Sequence, residues 1–468
     1  MAETDKKASP QRDLLLEKRE NGYDRIDADE LKICGEYNDK YKIFIDEAKT
    51  ERLATDYAVS VAKKAGFREL IRGDVLKQGD KIYRINRGKA VVLAIIGSES
   101  PDKGINIAAA HLDAPRIDVK TTPLYEDFEL AYFKTHYYGG IKKYQWLAIP
   151  LELHGVIVLK SGNTVTVSIG KDPSDPVLVI SDLLPHLASE QMKKTMSEAV
   201  VGENLNALLG SIPEPDDNGA DRVKLHILGI LNEKYGITEA DLHSAELSLV
   251  PAFNARDVGL DRSMIGAYGH DDRVCSFGCL QAILDIDNPA KTVVCVLVDK
   301  EEIGSEGVTG MQSSFFDTFV DDICQSFNVP LKVCFEKSFC LSNDVAAAYD
   351  PNFPEPYDKR NSSRLNYGLG ICKYTGSRGK SGASDASAEV VARLRRILDE
   401  AGVVWQMAPL GKVDAGGGGT VAKYMANRNI DTIDAGVPVL SMHAPFEVIS
   451  KLDNYMSYKG LMAFYMSI

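Results

Sequence analysis

Residues 292–307 read TVVCVLVDKEEIGSEG, a stretch that joins about the least polar run of the chain to a cluster of acidic residues. A short continuous apolar run of this kind is typical of a strand buried on both faces of a parallel or mixed sheet. Two adjacent carboxylates, Glu301 and Glu302, repel each other and gain nothing from burial, so folding alone gives little reason for them. We therefore interpret the end of this strand as a site where one carboxylate holds a metal ion and the other moves a proton.

The segments around this strand predict an α/β domain. Upstream, Thr50 is placed to cap a helix that ends at Gly66. Downstream, the stretch at 271–284 predicts a helix with two acids at its positive end. Further strands are expected at 81–87, 90–97 and 105–111.

The pattern of apolar and polar residues changes between about residues 119 and 256. Two alternating strands at 154–160 and 164–170 flank a Gly/Asn turn and predict a hairpin, and helical sequence is expected from about 185 to 235. The predicted fold class is α/β, with a mixed central sheet flanked by helices. A β-rich domain at 119–256 is expected to interrupt a catalytic domain formed by residues 1–118 and 257–468.

The bulk composition favours a soluble enzyme. The chain has 468 residues, a formal net charge of −13 and 44% hydrophobic residues. The excess of acid opposes binding to nucleic acid or to anionic membranes, and no apolar run reaches the roughly 18 residues of a membrane span. The N-terminal sequence has no signal-peptide pattern, and the eight cysteines form no CxxC pair. The protein is therefore expected in the cytoplasm, with reduced thiols.

Acidic and histidine side chains follow several other apolar runs or open a helix. These residues are His111, Asp113, Asp271, Asp344 and His443. Open α/β sheets carry their chemistry at the C-terminal ends of strands, so we expect these side chains to meet there. No HExxH motif is present, which excludes a metal site built on one helix.

Charge balance predicts how these residues would hold two metal ions. Two divalent cations are neutralised by three carboxylates and one bridging hydroxide, which suits a buried site. If Asp271 bridges the ions, His111 and Asp344 complete the first ligand set. Glu302 and His443 complete the second, and each metal keeps the open position of a catalytic site. Zinc is expected, with cobalt or manganese as alternatives for such mixed nitrogen and oxygen ligands.

Two carboxylates remain for supporting roles. Asp113 is placed to accept the spare imidazole proton of His111 and to fix its tautomer. Successive side chains at a strand end point in different directions, so Glu301 can face the cleft while Glu302 faces the metal. As general base toward the metal-bound water, Glu301 would contribute about 100- to 10,000-fold in rate.

Together these residues resemble the aspartyl aminopeptidase family of dinuclear zinc metallopeptidases, the tetrahedral aminopeptidases. The resemblance runs in the family's order from about residue 105 to 445 and implies the same five ligands, with Asp272 as the rival of Asp271, and Glu301 as general base. The stretches that carry it are AAAHLDAPRIDVK, THYYGGIKKYQW, DLLPHLASEQM, the DD of GHDDRV, VDKEEIGSEG, LSNDVAAA, KYTGSRGKSGASDASAEV, VDAGGGGT and VLSMHAP.

The resemblance also implies features that cannot be inferred from residue spacing. The inserted domain would form dimers, which assemble into a dodecamer with active sites facing its interior. His186 resembles a residue donated to a neighbouring subunit's active site to polarise the scissile carbonyl. Lys373 is the residue implied to bind an acidic substrate side chain, with Arg378 and Lys380 as alternatives. Separately, the glycines of the DAGGGGT stretch, Gly417 and Gly418 among them, let backbone approach a ligand closely.

The predicted activity is that of a cytosolic metalloaminopeptidase that removes N-terminal Asp or Glu from short peptides. A metal-bridging hydroxide would attack the first peptide carbonyl, and Glu301 would pass the proton to the leaving amine. Alternatives of the same class are a broad or neutral, Leu-type aminopeptidase and an N-acyl amino acid deacylase. An alternative of another class is a non-catalytic, self-assembling shell.

Overall fold

Eleven α-helices occur in the computed structural model, which describes residues 10–409 and 411–468. Thr50 begins one of them as predicted, since its hydroxyl accepts a hydrogen bond from the Leu53 N–H at 3.3 Å. The helices are α1 Pro10–Leu15, α2 Ala28–Glu47, α3 Glu51–Lys64, α4 Met196–Ala199, α5 Arg222–Tyr235, α6 His270–Asp285, α7 Phe315–Ser326, α8 Leu331–Glu336, α9 Ala388–Glu400, α10 Ala422–Ala426 and α11 Lys451–Met466.

The strands of the described residues form three larger sheets and one two-stranded ribbon. They are β1 Arg68–Glu69, β2 Lys81–Asn86, β3 Ala90–Ile95, β4 Asn106–His111, β5 Arg116–Asp127, β6 Leu130–Tyr138, β7 Pro150–Val158, β8 Thr164–Ile169, β9 Leu178–Val179, β10 Ala207–Gly210, β11 Ala245–Pro251, β12 Arg256–Val258, β13 Met264–Ala267, β14 Val293–Val298, β15 Phe339–Ser342, β16 Ala346–Ala347, β17 Leu369–Cys372, β18 Gly376–Ser377, β19 Trp405–Met407, β20 Gly417–Gly418, β21 Asp431–Gly436, β22 Pro438–Leu440 and β23 Glu447–Ser450.

The central sheet has nine strands in the order β1-β2-β3-β14-β4-β15-β21-β17-β19. Strand β14 pairs antiparallel with β3 and parallel with β4, and β4 pairs parallel with β15, so the sheet is mixed, as predicted. Every residue of β14 and of β4 is buried. This burial on both faces explains why these strands read as continuous apolar runs rather than as alternating ones.

Helices cover both faces of this sheet. Alternate residues of β14 point to opposite faces: Cys295 and Leu297 pack into one core, with residues of α2, α3, α6, α9 and α11, whereas Val294 and Val296 pack into another, with residues of α7 and α8. The predicted fold class is therefore confirmed.

A second sheet of seven strands, β11-β5-β6-β10-β9-β7-β8, is built entirely from residues between 116 and 251. Strands β7 and β8 form the predicted hairpin, in which Val158 pairs with Thr164. The sheet encloses a core of its own, which contains Trp146 and Leu249. A third sheet, β12-β13-β23-β22-β16, carries residues that approach the candidate site.

The helical prediction for 185–235 is wrong in its first half. Only α5 is a long helix there, and residues 185–210 form 3-10 turns, the single turn α4 and strand β10. Apolar side chains of this segment, such as Leu187 and Met192, are exposed at 67% and 78%. Helices in proteins are stabilised chiefly by packing of an apolar face. In this segment Val200, Leu205 and Ala207 pack into the core of the second sheet, whereas Leu187 and Met192 stay exposed.

The eight cysteines form no disulfide with one another, and all but Cys372 are buried. Of the helices in the described residues, none is both long and apolar enough to cross a membrane.

Candidate metal centre and active-site cavity

Side chains from several elements converge at one edge of the central sheet. Strands β4, β14 and β15 run parallel to one another, so their C-terminal ends meet at this edge. His111 ends β4, Glu302 lies in the 3-10 turn after β14, Asp344 follows β15, His443 follows β22, and Asp271 lies in the first turn of α6.

Asp271 lies between the two imidazoles of this cluster. Its Oδ1 is 3.3 Å from His111 Nε2, and its Oδ2 is 3.1 Å from His443 Nε2. On the outer sides, Asp344 Oδ1 lies 4.0 Å from His111 Nε2, and Glu302 Oε1 lies 3.6 Å from His443 Nε2. The structure thus brings these five side chains together around Asp271, with Glu301 and Asp272 also within reach of the cluster. Their ligand roles stay a prediction.

Hydrogen bonds fix the orientation of both imidazoles. His111 Nδ1 lies 2.9 Å from the main-chain oxygen of Asp113, and His443 Nδ1 lies 2.7 Å from the main-chain oxygen of Gly140. A carbonyl oxygen only accepts, so each Nδ1 carries a proton, and in the neutral imidazole each Nε2 would present its lone pair to the cluster. For His111 the nearest acceptor is this carbonyl oxygen and not the Asp113 carboxylate, whose Oδ1 lies 3.3 Å away.

The carboxylate of Asp113 also holds the acidic turn in place. Its Oδ1 accepts the Glu301 N–H at 3.1 Å, and its Oδ2 accepts the Glu302 N–H at 3.2 Å and the Tyr138 hydroxyl at 2.8 Å. One buried carboxylate therefore positions both neighbouring glutamates, as well as contacting His111.

The two glutamates of the turn face different surroundings. The Glu301 side chain is 16% exposed and that of Glu302 is 5% exposed, so Glu301 is the more open to the cavity. Burial raises the pKa of Glu301 to about 7. A carboxyl group with such a pKa both takes up and releases a proton near neutral pH, which suits a general base.

The electrostatics of the cluster fit a pair of divalent cations. Burial and the neighbouring Asp271 raise the pKa of Glu302 well above its usual range, and burial and Asp272 do the same for the pKa of Asp344. In addition, Glu302 Oε1 is buried without a hydrogen-bond partner. Crowded carboxylates and an unpaired buried oxygen are unfavourable unless cations neutralise them. The oxygen and nitrogen donors present are those that zinc, cobalt or manganese accept.

The pKa of Asp271 and that of His443 are shifted in favour of the charged forms. Burial alone would raise the pKa of Asp271, but His111 and His443 outweigh it and hold the pKa well below its usual range. Burial alone would lower the pKa of His443, but the carboxylate of Asp271 raises it to about 10. Each group therefore favours a positive charge beside Asp271, which protons on the imidazoles or bound cations supply.

A cavity of about 430 Å³ opens onto this cluster. Its walls include Asp271, Glu301, Glu302, Asp344 and His443 together with the backbone of Gly417, Gly418 and Gly419. A space of this size holds a few amino-acid residues of a ligand. Gly417 and Gly418 thus line the cavity, and their part in binding a ligand stays a prediction.

A comparison with known families identifies the family of the chain. The family described as Aminopeptidase I zinc metalloprotease (M18) matches this chain over residues 44–465. The chain belongs to the M18 family of zinc aminopeptidases. The matched range includes every residue of the candidate metal cluster.

Close relatives share both sequence and fold with this M18 chain. A probable M18 family aminopeptidase 1 of Clostridium acetobutylicum is 50% identical over 458 residues, which cover 96% of this chain and 98% of that protein. The crystal structure of an M18 aminopeptidase from Thermotoga maritima has a TM-score of 0.93 at 42% identity and covers 97% of this chain and 100% of that one. The structure of aminopeptidase I from C. acetobutylicum has a TM-score of 0.91 at 48% identity, covering 96% and 100%.

The basic side chains expected to bind substrate do not line the cavity beside the metal cluster. Lys373 Nζ lies 2.7 Å from Asp385 Oδ1, and Lys380 Nζ lies 2.9 Å from Asp385 Oδ2. Arg378 and Lys380 line a separate cavity of about 70 Å³. His186 is exposed in the 3-10 turn Pro185–Leu187. The described residues that line the larger cavity of the same chain do not include His186.

Glu447 belongs to the site but was not predicted from the sequence. Its Oε2 accepts the Asp271 N–H at 3.0 Å, and its Oε1 accepts the His443 N–H at 2.6 Å. One buried carboxylate thus joins the two loops that carry Asp271 and His443. The only local signal is an acid four residues after the histidine, at the start of an apolar strand.

Replacing Glu447 with Gln is expected to weaken metal binding by about 10- to 100-fold, the usual cost of losing a group that orients a ligand. The Gln amide would turn a donor toward one of the two N–H groups and release one loop. Metal titration of the apoprotein measures this change. Glu400→Gln, at an exposed glutamate in the last turn of α9, is the matched control, and equal metal affinity in both variants would show that Glu447 does not orient the site.

Proposed function

We propose that this M18 aminopeptidase removes N-terminal Asp or Glu from short peptides with two divalent ions and Glu301 as general base. The observation that supports this most directly is the placement of Asp271 between two imidazoles, 3.3 and 3.1 Å away, at the wall of a cavity that Glu301 also lines.

The proposed ligands of one ion are His111, Asp271 and Asp344, and those of the other are Asp271, Glu302 and His443. Asp272 stays the rival of Asp271 as the bridge: its Oδ2 accepts the His111 N–H at 3.2 Å, whereas its Oδ1 is buried without a hydrogen-bond partner. When bound, the ions lower the pKa of a water molecule toward about 7 and polarise the substrate carbonyl.

The side chains of this protein then handle the proton. Glu301 Oε2, 3.9 Å from His111 Nε2, lies beside the metal cluster and would accept the proton of the attacking water. Since its side chain is also open to the cavity, it would deliver that proton to the leaving amine. Asp113 keeps Glu301 in this place through the Glu301 N–H.

A self-assembled particle is part of the proposal. Residues 119–256 would form the inserted dimerisation domain, between catalytic segments 1–118 and 257–468, and dimers would build a dodecamer. The exposed apolar side chains around His186, among them Leu187 and Met192, support contact with another copy. His186 would thereby reach a neighbouring active site and polarise the scissile carbonyl. A distant structural relative at 22% identity, S. cerevisiae mApe1, is described as a dodecamer.

The protein is proposed to work in the cytoplasm on peptides, without a nucleic-acid or membrane partner. The surplus of acidic residues and the burial of seven of the eight cysteines support this location.

Turnover of a matched set of substrates tests the proposal. For metal-loaded protein, we expect kcat/KM for aspartyl and glutamyl p-nitroanilides to exceed that for the leucyl compound by about 10- to 100-fold, the worth of one charge-assisted contact. Faster turnover of the leucyl compound would favour a neutral aminopeptidase. Turnover of N-acetyl-Asp substrates alone would favour a deacylase, and no turnover of any unblocked peptide would favour a non-catalytic shell.

A further inference from the structure

We infer that Lys423 binds a carboxylate of the peptide substrate and so determines which peptides the cavity accepts. This inference rests on the proposed aminopeptidase function, and it adds a cation that differs from those expected from the sequence. The carboxylate belongs either to the side chain of the first residue or to the C-terminus of a very short peptide.

The position of Lys423 carries the inference. Lys423 lies in α10 and lines the same cavity as Glu301 and the metal cluster. Among the described residues that form the walls of this cavity, it is the one lysine or arginine. The other walls carry acids, neutral polar side chains such as Thr375 and Thr420, and the apolar residues Ala346, Ala408 and Met442. An ammonium group at these walls can form a charge-assisted contact with a substrate carboxylate.

The ammonium group of Lys423 is free to bind a ligand. Its recorded contact is with the ring of Tyr424, whose centroid lies 5.1 Å from Nζ, and within residues 10–409 and 411–468 it forms no ion pair. Lys373 and Lys380 differ in this respect, because both are paired with Asp385. An ammonium has three donors and no acceptor, so an unpaired one beside a cavity favours an anionic ligand.

Asp434, on strand β21, also lines this cavity, and its carboxyl group is already hydrogen-bonded. Asp434 is buried, and its Oδ1 accepts the Thr420 hydroxyl at 2.8 Å. Burial raises the pKa of Asp434 to about 6, so its negative charge is disfavoured. Among the described residues Asp434 forms no ion pair with Lys423, which leaves the ammonium facing the cavity.

The helix that carries Lys423 is anchored to the catalytic turn. The hydroxyl of Tyr424, the next residue, donates to the Gly304 carbonyl oxygen at 3.1 Å, two residues after Glu302. Farther along, Arg428 donates to the carbonyl oxygens of Tyr424 and Met311 at 2.9 and 3.1 Å. The backbone of Lys423 is therefore held at a fixed place relative to Glu301, as a residue that selects substrates requires.

Two substrate pairs measured on variants of the metal-loaded, full-length enzyme test the inference. The first pair is aspartyl and leucyl p-nitroanilide, and the second is Leu-Gly and Leu-glycinamide, which differ only at the C-terminal carboxylate. For Lys423→Met, we expect the kcat/KM ratio of the carboxylate-bearing member to its neutral partner to fall about 10- to 100-fold in one pair. The pair that responds identifies which carboxylate is bound.

Matched variants separate this role from a structural one. Lys423→Arg retains the positive charge and is expected to retain most of the ratio, whereas Lys373→Met and Lys380→Met are expected to leave it unchanged. Unchanged ratios in both pairs for Lys423→Met, with an active wild type, would overturn the inference and leave the aminopeptidase proposal intact. A fall in the ratio only for Lys373→Met would assign the role to that residue instead. A wild-type enzyme without activity on either pair would overturn both proposals.

Discussion

Glu301→Gln is expected to lower kcat by about 100- to 10,000-fold, the range usual for loss of a general base, while the protein keeps both metal ions. Gln is nearly isosteric with Glu, and the main-chain N–H of residue 301 still donates to Asp113, so the turn should persist. The carboxamide has no affinity for the proton of the attacking water, which is the loss that kcat reports. Steady-state kinetics and metal analysis of the same purified sample measure the two quantities.

A nearby glutamate provides the control for this substitution. Glu306→Gln removes one negative charge five residues along the chain from an exposed position, and kcat should stay near that of wild type. If Glu301→Gln instead released metal while kcat per bound ion stayed normal, Glu301 would be a ligand and not the base. A fall in kcat of similar size for Glu306→Gln would point to a general effect of charge in this loop.

The parts of the fold that follow from local sequence were predictable. The apolar runs that became β4 and β14 are buried on both faces, and such runs can only be continuous when no face meets water. Because these strands are parallel, the polar residues that follow them must meet at one edge, which brought His111 and Glu302 together without knowledge of the rest of the chain.

Features that depend on tertiary contacts were not predictable in this way. The role of Glu447 lies in accepting two backbone N–H groups, one of them 176 residues away, and backbone donors are the same in every sequence. Lys373 and Lys423 look alike in sequence as solvated cations. Only the fold shows that Asp385 binds the first, whereas the second lines the cavity.

The segment around His186 shows a further limit of sequence reasoning. Its apolar spacing predicts a helix, but apolar side chains stabilise a helix only when a surface is there to cover them. In the single chain Leu187 and Met192 remain exposed. In our proposal, another copy of the chain covers these side chains. Local periodicity carries no information about such a partner.

Glu302→Gln, the neighbouring substitution, is expected to have the opposite effect, a fall in metal affinity of more than about 100-fold. Loss of a group that only orients a ligand already lowers metal affinity by about 10- to 100-fold. The buried Glu302 Oε1 has no hydrogen-bond partner and lies 3.6 Å from His443 Nε2, so both atoms could bind the same ion. Metal analysis after dialysis should find about one ion per subunit instead of two, with three protein ligands remaining at the other position.

The thermal stability of Glu302→Gln without metal gives an independent test with a distinct sign. Burial and the neighbouring Asp271 raise the pKa of Glu302, so this carboxylate destabilises the metal-free site. Its neutral replacement should therefore leave the Tm of the apoprotein equal to or above that of wild type. Added zinc should raise the Tm of wild type far more than that of the variant, because stabilisation by a ligand grows with its affinity for the folded state. Equal zinc-induced shifts in Tm for Glu302→Gln and wild type, combined with metal loss in Glu301→Gln, would reverse the two roles within this acidic pair.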